Sequence, residues 1–198
     1  MTKKPQNTFE GEMDNFIDED NSLLSEKEIF HRYPTADIYL TDDNKRGVVY
    51  FASIPYDYAT AIVSFTINNG RRENLGICLS EQIRDNEVCL EYIETSKKGR
   101  GKGIGFSMIE LLEITSKEKN VDKISGQMIP FGDSGQKTAQ KTATEFYIRQ
   151  GFNIDAKNNI TKNIGEGAVI SEFYKLNLNE HNQIVKKPLI EHEQEHSM

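Results

Sequence analysis

Residues 87–112 read EVCLEYIETSKKGRGKGIGFSMIELL, and the fold turns on how this stretch divides. Val88–Thr95 is rich in β-branched and aromatic residues and reads as a strand. From Ile104 the period changes. Ile104, Met108, Leu111 and Leu112 recur at helical spacing and predict a helix over about 103–117. Between them, residues 97–105 alternate Lys97, Lys98, Arg100 and Lys102 with Gly99, Gly101, Gly103 and Gly105. Glycine lets a backbone turn sharply and bring its N–H groups close to an anion. The first turn of a helix has N–H donors with no acceptor behind them and the positive end of the helix dipole. A strand, a basic glycine loop and a helix start together make a phosphate site.

The string narrows the kind of phosphate. A Walker loop, GxxxxGK(S/T), does not occur. The dinucleotide fingerprint GxGxxG fails as well, because counting from Gly101 its last position is Phe106 and from Gly99 it is Ile104. Arg100-Gly101-Lys102-Gly103-Ile104-Gly105 does fit the pattern Gln/Arg-x-x-Gly-x-Gly/Ala. Here the chain resembles the GNAT acetyltransferase superfamily, whose loop amides grip the pyrophosphate of acetyl-CoA. Ile93 and Thr95 stand seven and five residues before Arg100. The resemblance gives their main-chain groups the pantetheine arm and the thioester carbonyl. Residues 143–152, ATEFYIRQGF, resemble the family's closing signature AxxxYxxxGF at the expected distance. The likeness covers about 85–178. It departs from the family at Lys97, where proline is frequent, and at Gln140, where asparagine is frequent.

The resemblance implies direct attack of an amine on the thioester in a ternary complex, where holding both reactants supplies effective molarities of ~10⁵ M or more. It implies that Tyr147, the tyrosine of the closing signature, protonates the departing sulfur. A phenol with a pKa near 10 still carries its proton at neutral pH. The candidate bases are Glu87 and Glu91, which share strand parity, with Glu91 nearer the expected thioester. Glu87 lies thirteen residues before Arg100, an offset some protein-lysine acetylating members use for their base. Glu94 faces the other way unless a bulge shifts it, and the family uses a bulge here to open its cofactor cleft.

The rest of the chain bounds this reading. Of 198 residues 36% are hydrophobic, and mean hydropathy is −0.62. The polar excess sits at the ends. Residues 1–21 carry Glu10, Glu12, Asp14, Asp18, Glu19 and Asp20, and residues 179–198 interleave Glu191, Glu193 and Glu195 with His192 and His196. Both are expected to be disordered tails, leaving a body of 22–178. A net charge of −7 excludes a general nucleic-acid coat. Cys78 and Cys89 fall in apolar stretches and read as buried thiols, with no disulfide framework and no metal site expected. No segment has the length or polarity pattern of a membrane span or a signal peptide, so a cytoplasmic, membrane-free protein is expected.

Ser25-Glu26-Lys27-Glu28 opens a short capped helix that stops before Pro34. Strands are expected at Ala36–Leu40, Gly47–Ile54, Thr60–Asn68, Leu75–Ile83, Val121–Met128, Phe152–Ile154 and Ala168–Leu178. A further helix is expected at Ala139–Gln150, ended by Gly151. The expected fold is α/β of mixed α+β character, a GNAT-like, mostly antiparallel central sheet with helices on both faces. The family places two helices after its first strand, on the acceptor side. Here Thr41–Lys45 and Pro55–Asp57 read as turns, which leaves no room for that pair. Arg71 and Arg72 are read as exposed loop charges, with binding of an acidic acceptor or the CoA 3′-phosphate as the alternative, and Tyr56 and Tyr58 as residues lining the acceptor cleft or packed at its edge. The expected activity is an acetyl-CoA-dependent N-acetyltransferase acting on a small-molecule or protein amine, with a second copy of the chain as a further possible partner. A catalytically silent acyl-CoA-binding or protein-interaction module on the same fold is the alternative.

Overall fold

The computed structural model describes residues 25–43, 47–129, 136–165 and 171–189. The expected N-terminal tail lies outside them. The chain starts with helix α1 (Glu26–Arg32), at whose head the Ser25 N–H donates to the Glu28 carboxylate. A meander follows: β1 (Asp37–Asp43), β2 (Gly47–Pro55), β3 (Ala59–Asn68), β4 (Arg71–Arg84) and β5 (Glu87–Thr95), each antiparallel to the one before. Helix α2 (Ile104–Lys117) crosses back to β6 (Lys123–Gln127), which pairs parallel to β5. Helix α3 (Gln136–Arg149) leads to β7 (Asn153–Ile154) and β8 (Asn159–Asn163), and β9 (Phe173–Leu178) and β10 (Ile184–Pro188) close the chain.

Among the described residues all ten strands join one sheet, in the order β10-β9-β1-β2-β3-β4-β5-β6-β8-β7. Of the hydrogen-bonded strand pairs only β5 and β6 run parallel, and helix α2 makes the crossover between them. Strand period divides the core in two. Tyr39, Val49, Phe51, Ile62 and Cys78 face α2 and α3. Their chain neighbours Ile38, Leu40, Tyr50, Ala52, Ala61 and Val63 face α1. Helices therefore stand on both faces, as expected.

As expected, among the described residues no helix pair stands between β1 and β2, and α1 comes before the sheet. Other expectations are revised. Arg72 is no loop charge. It is buried, with its guanidinium 5.5 Å from the Tyr33 ring centre and 5.0 Å from that of Phe65, and it fastens α1 to the sheet. Tyr56 and Tyr58 line a small cavity with the last turn of α2, at the opposite end of the sheet from the glycine loop. Two strands were not anticipated. β8 lies in an asparagine-rich stretch, and β10 lies in what reads as a polar tail. β9 starts at Phe173, later than the expected Ala168, and residues 166–170 are outside the described set.

Candidate functional site

Two bulges shape the site. On β4, Gly76 pairs with Ser64 and Asn74 with Phe65, so Leu75 between them has no partner on β3. On β5, Tyr92 pairs with Leu79 and Leu90 with Ser80, which leaves Glu91 as the extra residue. The Glu91 bulge inverts the parity of the rest of the strand. Val88, Leu90 and Ile93 face α2, while Tyr92 packs on the α1 side and Glu94 follows it there. The bulge also marks where β5 leaves β6. Their pairing runs only from Glu87–Lys123 to Leu90–Gly126. Beyond it, among the described residues, 92–95 keep strand partners on the β4 side alone. What opens there, among the described residues, is a gap in the strand pairing, bordered by the main chain of Ile93 and Thr95.

The glycine loop closes the top of this gap and is fixed from below. Ser96 N–H donates to the bulged Leu75 carbonyl at 2.9 Å, and Ser96 Oγ donates to Asn74 O at 3.0 Å. The Ser96 carbonyl in turn accepts from Gly99 and Arg100, each at 3.0 Å. Gly99 is pressed onto the same bulge: a Cβ there would lie 2.3 Å from Leu75 O. Gly101 and Gly103 have φ of +71° and +73°, the left-handed region where glycine carries no strain. Gly103 is the N-cap of α2, so the N–H groups of Ile104 and Gly105 start the helix with no carbonyl behind them. Phe146 of α3 meets Gly105, bringing α3 against this end of α2.

The four cations are not equivalent. Lys98 Nζ pairs with Glu73 Oε1 at 3.1 Å, and Asn68 Nδ2 donates to Glu73 Oε2 at 3.1 Å. These contacts, the Lys98 bond foremost, hold the Glu73 carboxyl below its usual range. Arg100 Nε donates to Thr95 O at 3.4 Å. Lys97, Arg100 and Lys102 are exposed. The residues expected to hold the cofactor, Ile93, Thr95 and Arg100 to Gly105, follow one another from the end of β5 through the loop into the first turn of α2.

Tyr147 sits in the last turn of α3, its ring edge-on to Phe146 at 5.1 Å and to Phe152 at 5.4 Å. It shares the α2-side core with Ile93 and with Cys78, the strand partner of Ile93. Burial first, and Cys78 second, push its phenol up to about 12. It therefore stays protonated at neutral pH. Burial likewise raises the Cys78 thiol to about 12, so a cysteine nucleophile has no support here.

The carboxylates separate by position. Glu87 is buried at the start of β5, beside β6. Lys123 Nζ lies 3.1 Å from Oε1 and Arg84 3.3 Å from Oε2. Hydrogen bonds from Ser125 and then Lys123 hold its carboxyl below the usual range. Glu91 is exposed on the bulge and engages the Cys89 thiol. Glu94 is exposed and accepts a short hydrogen bond from Tyr92 OH. Sequence reasoning missed Leu75 and Ser96. A bulge has no signature in one strand, and a serine after a strand is ordinary. Among the described residues no group of three or more His, Cys, Asp or Glu could hold a metal ion, and no helix is long and apolar enough to cross a membrane.

No family model matches the chain, and no curated protein matches it in sequence. Solved structures match its fold. A cAMP-binding acyltransferase from Mycobacterium smegmatis aligns with a TM-score of 0.50 at 8% identity, over 70% of this chain and 50% of that one. A GNAT-family acetyltransferase from Staphylococcus aureus Mu50 aligns at 0.42 and 19% identity, over 54% and 68%. An N-acetyltransferase from Thermoplasma acidophilum, solved with coenzyme A, aligns at 0.42 and 16%, over 54% and 61%. The mixed, mostly antiparallel sheet with helices on both faces is a fold this chain shares with the Mycobacterium smegmatis acyltransferase.

Proposed function

We propose that this chain transfers an acetyl group from acetyl-CoA to an amine by direct attack in a ternary complex. The observation that carries the proposal is the gap beside residues 92–95, opened by the Glu91 bulge and crowned by the glycine loop and the start of α2. The loop amides and the exposed Arg100 and Lys102 suit a pyrophosphate. The main chain of Ile93 and Thr95 suits an extended pantetheine arm, added along β5 as a further strand would be. The thioester then lies between two faces. Tyr147 stands on the α2 side, and Glu91 is proposed to serve the opposite side.

On this reading the amine reaches the site as an ammonium and loses one proton to Glu91. Its lone pair forms the new C–N bond, and the C–S bond breaks as the tetrahedral intermediate collapses. Tyr147 gives its proton to the leaving sulfur. The second nitrogen proton is lost on amide formation and restores the phenol. One proton is released to solvent in each turnover. Glu87, held by two cations below the usual carboxyl range, is proposed to fasten β5 to β6 rather than to take a proton.

The test is release of free thiol from acetyl-CoA with a panel of primary amines, beside calorimetric titration with acetyl-CoA. Saturable binding and amine-dependent thiol release are expected. Binding without thiol release for any amine would leave a cofactor-binding module and remove the enzyme.

A further inference from the structure

The α1-side face of β5 holds a second device past the bulge. Tyr92 and Glu94 lie two residues apart, and the Tyr92 hydroxyl donates to Glu94 Oε2. Neither group owes its placement to chance exposure. Tyr92 pairs with Leu79 and packs its ring against the α1-side core, so the phenol is fixed. Burial first, and then the Glu94 contact, push that phenol up to about 12, which keeps it a donor across the neutral range. Glu94 flanks Ile93 and Thr95, whose main chain borders the gap. Glu73 and Glu87 on the same two strands are neutralised by lysines. Among the described residues Glu94 makes no ion pair, and its one bond to Tyr92 leaves acceptor positions free.

We propose that Glu94, oriented by Tyr92, binds the positively charged amino group of the acceptor beside the thioester. The inference rests on the acetyl-transfer reading above. Glu94 touches substrate on this account and Tyr92 is a positioning residue. The acceptor is then an amine that arrives as a cation, and Glu91 removes its proton only after Glu94 has seated it. Tyr92 occupies Oε2 of Glu94, which leaves Oε1 to accept from the ligand.

The experiment compares two nucleophiles at pH 7: n-butylamine, which is cationic, and hydroxylamine, which is largely neutral. Thiol release from acetyl-CoA is followed for the wild type, Glu94→Gln, Tyr92→Phe and the double variant. Glu94→Gln should raise KM for butylamine about tenfold more than KM for hydroxylamine, with kcat changed less than KM. Tyr92→Phe should move the same ratio about threefold, and the double variant should be no worse than Glu94→Gln, since the tyrosine acts through the glutamate. Equal changes for both nucleophiles, or additive effects of the two substitutions, would overturn the proposal. So would a wild type that uses hydroxylamine and no cationic amine. A wild type that binds acetyl-CoA but uses neither nucleophile rejects the acetyl-transfer reading itself. Glu94 is exposed, so loss of folding does not confound the comparison.

Discussion

Tyr147 and Glu91 illustrate what one residue position does and does not reveal. The tyrosine was legible because its neighbours are: Ala143, Gly151 and Phe152 fix its spacing, and Gly151 has the left-handed φ of +80° that ends α3. The glutamate was legible as a candidate, but its bulge was invisible. A bulge is a mismatch in residue count between two strands, and neither β4 nor β5 shows it alone. Each residue has its own test. Tyr147→Phe should lower kcat by about 10²-fold or more while leaving the Kd for acetyl-CoA nearly unchanged, because general-acid catalysis contributes at that scale. Glu91→Gln should lower kcat/KM for cationic amines and flatten its rise with pH, measured by thiol release across pH 6–9. Unaltered turnover in either variant removes that residue from the proposal.

The strand–loop–helix element was the most legible part of the chain, since glycine alternation, period change and charge all point to one structure. Its support was not legible. Leu75 and Ser96 are ordinary residues whose importance comes from meeting across 21 positions, through the 2.9 Å bond that seats the loop. Gly99→Ala tests that seat. Its methyl group would lie 2.3 Å from the Leu75 carbonyl, and the shift needed costs about 1–3 kcal/mol. Affinity for acetyl-CoA, measured by calorimetry, should fall by about tenfold or more. At the other end of β5, Glu87 couples stability to pH. Its folded pKa is depressed from the ordinary 4.5, so its contribution is complete above about pH 4.5 and is lost as pH falls through the folded value. Its cationic partners reach solvent, so the contribution is about 1 kcal/mol. Glu87→Gln should therefore lower Tm at pH 7 by about 2–4 °C. The gap from wild type should narrow as the pH of the melt drops below 4.5.

Across the whole molecule, the order of the main strands and the two longer helices was read well, and the strands that widen the sheet were not. The absence of a helix pair after the first strand was anticipated from turn residues alone. The strands that widen the sheet were missed because β10 is an edge strand that buries little and β8, between β6 and β7, lies in an asparagine-rich stretch. β10 shows an exposed Lys186 and Lys187 to solvent, and β8 alternates a buried Ile160 and Lys162 with polar neighbours. Lys162 belongs to a long-range contact no local pattern encodes, a buried ion pair with Glu113 that ties α2 to β8. Burial raises the Glu113 carboxyl, so the lysine matters most as its compensation. Lys162→Met should cost about 3–5 kcal/mol in urea unfolding, and Glu113→Leu in the same chain should restore most of it. The central claim remains that the gap beside β5 holds acetyl-CoA. Calorimetric titration of the full chain with acetyl-CoA tests it most directly. One saturable site with a Kd between about 1 μM and 1 mM is predicted, weakened by Gly99→Ala and not by Tyr147→Phe. No heat of binding at millimolar acetyl-CoA would contradict it.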